Sequence, residues 1–177
     1  DAVKVSFFIK DANVIMAEES YFFLMASMRK MRMNIPLTYT LEYFVNILTT
    51  EVLDKDFANG IVDFMVYREQ TTLALPKAPT AYYFKTTILD DVLAIQGNIE
   101  LDHIKEINVN NNLLSNIRVH SPENIYATLY AEENDLDDVV LLNPQKRIAR
   151  SIFGNLLFLQ NGVIKIPKQT EGAYISP

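Results

Sequence analysis

Apolar and polar positions alternate from Val3 to Ile9, break at Asp11-Ala12-Asn13 and resume at Val14-Ile15-Met16. A period of two interrupted by a polar break predicts a β-hairpin. Between residues 18 and 33 the period changes. Tyr21, Leu24, Met25, Met28 and Met31 recur at helical spacing, which predicts a helix with one buried stripe. Ser20, Phe23, Ser27 and Lys30 share the opposite face, so Phe23 is a lone aromatic among polar neighbours. Pro36 closes this segment. A second helix follows, capped by Thr38 or Thr40, with Leu41, Phe44, Val45, Leu48 and Val52 on its buried face. Ile61 to Tyr67 and Ala81 to Leu89 read as strands. Gln70 to Pro79, rich in Thr and Pro, reads as the loop between them. A first α+β domain is therefore expected over residues 1–91.

A second, β-rich domain is expected over 92–177. Its strands are predicted near 92–97 and 104–109, before the polar run Asn110-Asn111-Asn112. Ser121-Pro122-Glu123 starts a helix, since serine caps well and proline at the first helical position sacrifices no hydrogen bond. Ile125, Tyr126, Leu129 and Tyr130 make its predicted buried stripe. Val139 to Leu142 is a buried strand ended by the Asn143-Pro144 turn. Strands follow at Arg147 to Phe153 and Leu156 to Leu159. Asn161-Gly162, in which both residues tolerate positive φ, turns the chain into a return strand at Val163 to Ile166.

Composition narrows the chemistry. The 177 residues are 49% hydrophobic and 21% charged, which suits a folded rather than a disordered chain. With no cysteine there is no disulfide, thiolate nucleophile or thiolate-bound metal. The two histidines, His103 and His120, poorly supply a zinc site or a Ser-His-Asp triad. We read His103 as exposed on a polar turn and His120 as a loop or capping residue. The net charge of −6 argues against nucleic acid, whose binding rests on Lys and Arg neutralising phosphates. No apolar run approaches the ~18 residues of a membrane span. The start DAVKVSFFIK lacks the regions of a signal peptide, so a cytoplasmic setting is expected.

Several segments together resemble the class IV (fold-type IV) aminotransferases, which include branched-chain and D-amino-acid aminotransferases and aminodeoxychorismate lyase. The most diagnostic runs are Asp138-Val-Val-Leu-Leu-Asn143 and the stretch from Arg147 through Asn155 to Asn161-Gly162. They are similar to the family's acidic pair, "LLLN" strand, "V-x-E-x-x-x-S-N" segment and closing hairpin. The helix Glu18 to Ser27 resembles the family's "E-x-H-x-x-R-L-x-x-S", and Thr170-Glu171-Gly172 a family loop. The resemblance runs nearly end to end, with no single motif intact. It implies an α+β, two-domain D-amino-acid-aminotransferase-like fold with an N-terminal sheet and two helices. The C-terminal β-rich unit is expected to be incomplete, stopping before the family's phosphate-binding turn, and an early hairpin strand is expected to be missing.

The family's cofactor is pyridoxal phosphate (PLP), and the resemblance implies three jobs for its residues. A lysine forms the Schiff base and moves the substrate proton, a glutamate faces the pyridine nitrogen, and an arginine grips the phosphate. The lysine falls on Arg118, the glutamate on Arg150 and the phosphate arginine on Phe23, with Ser20 where a histidine is usual. Asn155 matches the family asparagine, near the former phosphate site. A guanidinium stays protonated and cannot condense with an aldehyde. A cation at position 150 repels a pyridinium, and phenylalanine cannot hold phosphate. Val62 and Asp63 stand where the family shows "R-V-R", and Thr71-Thr72 replace a common glycine pair. Lys105 is the nearest spare lysine, on a predicted strand and without a motif; Lys4 is a poorer substitute.

The plain alternative makes Arg118 and Arg150 two surface arginines. Otherwise they line a former cofactor cavity, attract an anion, or pair with Asp63 or another carboxylate, because buried unpaired cations are costly. Tyr21, Tyr82 and Tyr83 read as core or interface residues, and the methionines as helix stripes. The leading expectation is a catalytically inactive class IV homologue with no bound PLP. As the resemblance implies, it would be a homodimer, with the apolar hairpin Val3 to Met16 suited to that packing. The competing expectations are an active PLP-dependent aminotransferase or lyase-like enzyme using an unrecognised lysine, and a binder of a small anion or carboxylate. No metal, nucleic-acid or membrane partner is expected.

Overall fold

Alternation along β1 (Ala2–Lys10) buries Val3, Val5, Phe7 and Ile9 and leaves the residues between them half-buried, as the pleat requires. Asp11 and Ala12, both at positive φ (50° and 59°), turn the chain into β2 (Asn13–Ile15). This is the hairpin that the sequence predicts. The computed structural model describes residues 1–69, 78–95, 97–115, 117 and 121–173. It divides into two units, Asp1–Ile95 and Gln96–Ile175.

The first unit is a four-stranded antiparallel sheet in the order β2-β1-β3-β4, with β3 over Gly60–Arg68 and β4 over Thr80–Ile88. Two helices, α1 (Ala17–Lys30) and α2 (Leu41–Glu51), supply the apolar partners of its buried face. Leu24, Met25 and Met28 come from α1, and Phe44, Ile47 and Leu48 from α2. Phe44 meets Phe64 edge-on at 5.3 Å between ring centres, and Phe64 meets Phe7 at 6.1 Å. Edge-to-face contact of this kind is favoured by the ring quadrupoles. Thr40, not Thr38, caps α2: its hydroxyl accepts from the Tyr43 N–H at 3.2 Å.

The polar face expected on α1 is only partly polar in its surroundings. Ser20 and Ser27 are buried, while Tyr21, Phe23 and Met31 are half-buried. The reason is steric. The Ser20 hydroxyl donates to the Ser6 carbonyl at 3.1 Å, so a small side chain marks the helix's close approach to β1. At the end of β3, the buried Arg68 guanidinium donates to the Asp1 carboxylate and to the Met31 carbonyl at the end of α1.

In the second unit, β5 (Leu101–Asn108) runs parallel to β6 (Asp138–Leu142), and β6 is antiparallel to β7 (Ile148–Ser151). A parallel pair needs a long crossover. Here α3 (Pro122–Glu133) supplies it, capped by the Ser121 hydroxyl, which accepts from the Asn124 N–H at 3.2 Å. Ile104, Val109, Ala127, Ala131, Val139, Leu141 and Ala149 form the core. The Asn161-Gly162 turn, at φ 51° and 76°, joins β8 (Phe158–Gln160) to β9 (Val163–Lys165).

Two expectations fail here. No strand forms in the described part of 92–97. Instead the Asp91 carboxylate accepts the Leu93 N–H at 2.8 Å and Ala94 N–H bonds to the Asp91 carbonyl, so a local turn competes with strand pairing. Nor does α3 bury its predicted stripe, of which only Tyr130 packs, half-buried, on the core. Ala127 and Ala131 face the core, while Ile125, Tyr126 and Leu129 are exposed. The two alanines, one turn apart, give the flatter seat against the sheet.

Candidate functional site

The most chemically distinctive group of the second unit is Arg150. It lies on β7 opposite Leu141 of β6 and is only 7% exposed. Its Nη1 donates to the Ser115 carbonyl at 2.9 Å and its Nη2 to Asn124 Oδ1 at 3.0 Å. One side chain thereby ties β7 to the loop after β5 and to the first turn of α3. Both of these acceptors are neutral. They orient the guanidinium, whose charge no accessible pH removes.

Local bonding holds this frame. The buried Asp138 carboxylate accepts the Val139 and Ile152 N–H groups at 2.7 and 3.0 Å, clamping the start of β6 to the end of β7. The Ser151 hydroxyl donates to the Gly154 carbonyl and accepts the Gly154 N–H, folding the turn that leads to Asn155. At the other end, Asn143 Oδ1 accepts from the N–H groups of Gln145 and Arg147, both at 3.0 Å. Glu171 then receives Asn143 Nδ2 and Arg147 Nη1. The Arg147 bond, more than any other contact, holds the Glu171 carboxyl below its ordinary value.

Arg150 lines two cavities of about 210 Å³ each. One has Asn110, Asn112, Ser115, Ser121 and Glu123 in its wall beside Val109, Leu114 and Ile117. The other is mostly carbon, bounded by Ala149, Leu156, Leu157, Ile166, Pro167 and Ala173, with Asn155 as its second polar side chain. Of the predicted site residues, Arg150 and Asn155 thus come together at one cavity. Phe23 belongs to the first unit, half-buried on α1. Arg118 and His120 lie outside the described residues, as do Thr71-Thr72 and the predicted loop from Gln70 to residue 77. Surface exposure, the plain reading of Arg150, is corrected: β7 carries the side chain into the unit's interior.

The remaining candidates have ordinary surroundings. Asp63 accepts from Lys4 at 3.0 Å and from the Ser6 hydroxyl at 2.7 Å on the open face of the first sheet, while Val62 is in the core. Lys105 is exposed on β5 and lines neither cavity. His103 is exposed as expected, but it lies within β5 rather than on a turn, 3.2 Å from the Asp102 carboxylate. Tyr82 stacks on Phe64 at 4.8 Å, and burial first, then Tyr43, pushes its hydroxyl up to about 12. Such a phenol keeps its proton at neutral pH and is no base there. Sequence reasoning missed Ser115 and Asn124. An asparagine just inside a helix and a serine in a polar loop have no pattern that announces a buried arginine. Among the described residues no His/Cys/Asp/Glu group could hold a metal ion, and no helix is long and apolar enough to cross a membrane.

No protein-family model and no curated protein matches this chain. Solved structures do. A putative 4-amino-4-deoxychorismate lyase from Legionella pneumophila superposes with a TM-score of 0.81 at 16% identity, over 98% of this chain and 64% of that one. A branched-chain aminotransferase from Thermoproteus uzoniensis, solved with norvaline, gives 0.81 at 14% identity over 98% and 61%. The PLP form of a Thermobaculum terrenum branched-chain aminotransferase gives 0.77 at 15% identity over 98% and 60%. The chain therefore spans less than two thirds of the length of these structures, and at such identities they show its fold.

Proposed function

From a chain that carries the class IV aminotransferase fold, we propose a protein that has lost the family's PLP chemistry and is a catalytically inactive homologue. The observation that supports this is Arg150. The resemblance puts a pyridine-facing glutamate at that position, and the side chain there is a buried cation. A carboxylate beside the ring nitrogen favours its protonated form, whereas a guanidinium disfavours it by like charge. The residues present therefore do not fit the cofactor in its usual binding mode. Phe23 adds to this reading, since an aromatic ring on α1 offers a phosphate no donor. Arg118, at the lysine position, cannot make the covalent bond.

Purified protein mixed with excess PLP is expected to stay colourless after desalting. Borohydride treatment is expected to leave every lysine unmodified by mass spectrometry. A coloured protein with one reduced, cofactor-bearing lysine would refute the proposal, and would favour the active-enzyme reading that invokes Lys105.

A second reading has its own observation. Arg150 borders a cavity with an apolar wall, which is the setting of a small-anion or carboxylate binder. The two readings are compatible, because loss of cofactor chemistry leaves the fold free to bind. The proposed setting is the cytoplasm, and the proposed assembly is a homodimer.

A further inference from the structure

We propose that β4, the long free edge of the first unit's sheet, is the strand through which two copies of this chain associate, pairing antiparallel with the β4 of the second copy across a two-fold axis at Phe84. The inference rests on the homodimer proposed above and names its interface.

The two edges of the sheet are unequal. At one side stands β2, only three residues long. At the other stands β4, nine residues from Thr80 to Ile88 in unbroken register with β3, without a bulge or a proline. Such an edge presents a row of unpaired main-chain groups, so edges are usually short, bulged, blunted by proline or covered. Among the described residues no strand pairs with the outer side of β4.

The phase of the ladder identifies those groups. The Glu69 N–H donates to the Pro79 carbonyl at 2.9 Å and the Leu89 N–H to the Asn59 carbonyl at 3.1 Å, at the two ends of the β3–β4 pairing. Hydrogen-bonded pairs recur at every second residue of an antiparallel ladder. Ala81, Tyr83, Lys85 and Thr87 therefore bond to β3. The N–H and carbonyl groups of Thr80, Tyr82, Phe84, Thr86 and Ile88 point outward.

A second β4 running antiparallel must set outward groups against outward groups, which leaves few registers. With Phe84 on the axis, all nine residues of each strand pair, and about ten main-chain bonds form. Lys85 of each copy then faces Tyr83 of the other in a non-hydrogen-bonded pair, where side chains approach most closely. A lysine over a tyrosine ring is a favourable cross-strand contact. Tyr83 is 52% exposed, and its ring is positioned by Tyr67 at 6.1 Å and by its hydroxyl on Met65 Sδ at 3.0 Å. Asp63, across the ladder from Lys85, is already held by Lys4 and Ser6. On the opposite face the two Phe84 rings meet at the axis and extend the stack of Phe84 on Phe64. Ile88, 79% exposed, gains Thr80 of the second copy as a neighbour.

The neighbouring registers are worse. An axis at Lys85 sets two lysines directly opposite each other, which is destabilising. An axis at Tyr83 leaves Lys85 against Ala81, with no ring to meet. The charge and aromatic pattern of β4 thus complements itself in one register, which favours a second copy over an arbitrary strand.

Sedimentation equilibrium of the full chain and of Thr86→Pro is the first test. The substitution removes an outward N–H and leaves the bonds to β3 whole, so association is expected to weaken at least about tenfold while the thermal transition is retained. Because proline can also distort a strand, a second measurement reads the register directly. The chain has no cysteine of its own. Tyr83→Cys and Lys85→Cys proteins, mixed and oxidised with copper phenanthroline, are expected to form a disulfide-linked dimer far faster than either variant alone. The two positions face each other across the axis, whereas each is offset from its own copy beyond disulfide reach. A wild-type chain that stays monomeric at all micromolar concentrations overturns the homodimer and this interface together. A dimer that Thr86→Pro leaves intact, or that shows no preference for the mixed disulfide, overturns this interface alone.

Discussion

At the scale of single residues, the informative positions are those whose side chains bond far along the chain. Arg150 reaches Ser115 and Asn124, and Glu171 reaches Asn143 and Arg147. Glu171 carries a pH prediction. Its folded-state pKa is depressed, first by the Arg147 bond, so its contribution to stability is present above the ordinary value of 4.5 and is lost as pH falls through the lower, folded value. Glu171→Gln is therefore expected to lower the thermal midpoint at neutral pH and to have a diminishing effect as the medium is acidified below that window. Scanning calorimetry of both proteins from neutral to acid pH checks this. A difference that is constant, or that grows with acid, would show that the bond does not act through charge. The residue types of this site were legible in the sequence, and the resemblance implied a conflict between arginine and a pyridinium. The partners were not, because Ser115 O is a backbone atom that no side-chain pattern marks.

At the scale of elements, periodicity located helices and strands better than it chose their faces. The hairpin β1–β2, the capped starts of α2 and α3, and the Asn161-Gly162 turn follow from local chemistry and stand where the sequence predicts them. α3 has two readable stripes, and the larger apolar one lies outside. This gives a direct test. Ala127→Leu should destabilise the protein by about 1–3 kcal/mol through overpacking. Leu129→Lys should stay within about 0.5 kcal/mol, as at an ordinary exposed site. Urea unfolding of the two variants decides the matter, and the reverse order of effects would mean that the alanine face is not the one packed. The strand expected at 92–97 shows the other weakness of local patterns. Four apolar residues had no partner strand in reach, and one aspartate offered a turn instead.

At the scale of the whole molecule, the solved structures establish the fold over a chain that spans about 60% of their length. The proposed homodimer predicts a mass near twice 20.3 kDa in sedimentation equilibrium, and a monomer at all micromolar concentrations would reject it. The argument that the apolar hairpin from Val3 to Met16 would serve such packing weakens at this scale. Val3, Val5, Phe7 and Ile9 are already buried in the first unit's own core, where β1 pairs with β3 from Ala2 to Ile9 and with β2 from Phe8 to Lys10.

By itself the sequence determined the element types, most of their ends and the chemistry unavailable at positions 23 and 150. Those depend on neighbours within a few residues, where period, capping and side-chain pKa act. Tertiary structure alone decided that Arg150 is interior, that alanines seat α3, and that Asn155 shares a cavity wall with Arg150. These outcomes arise from contacts between segments distant along the chain, whose packing energies no local pattern encodes.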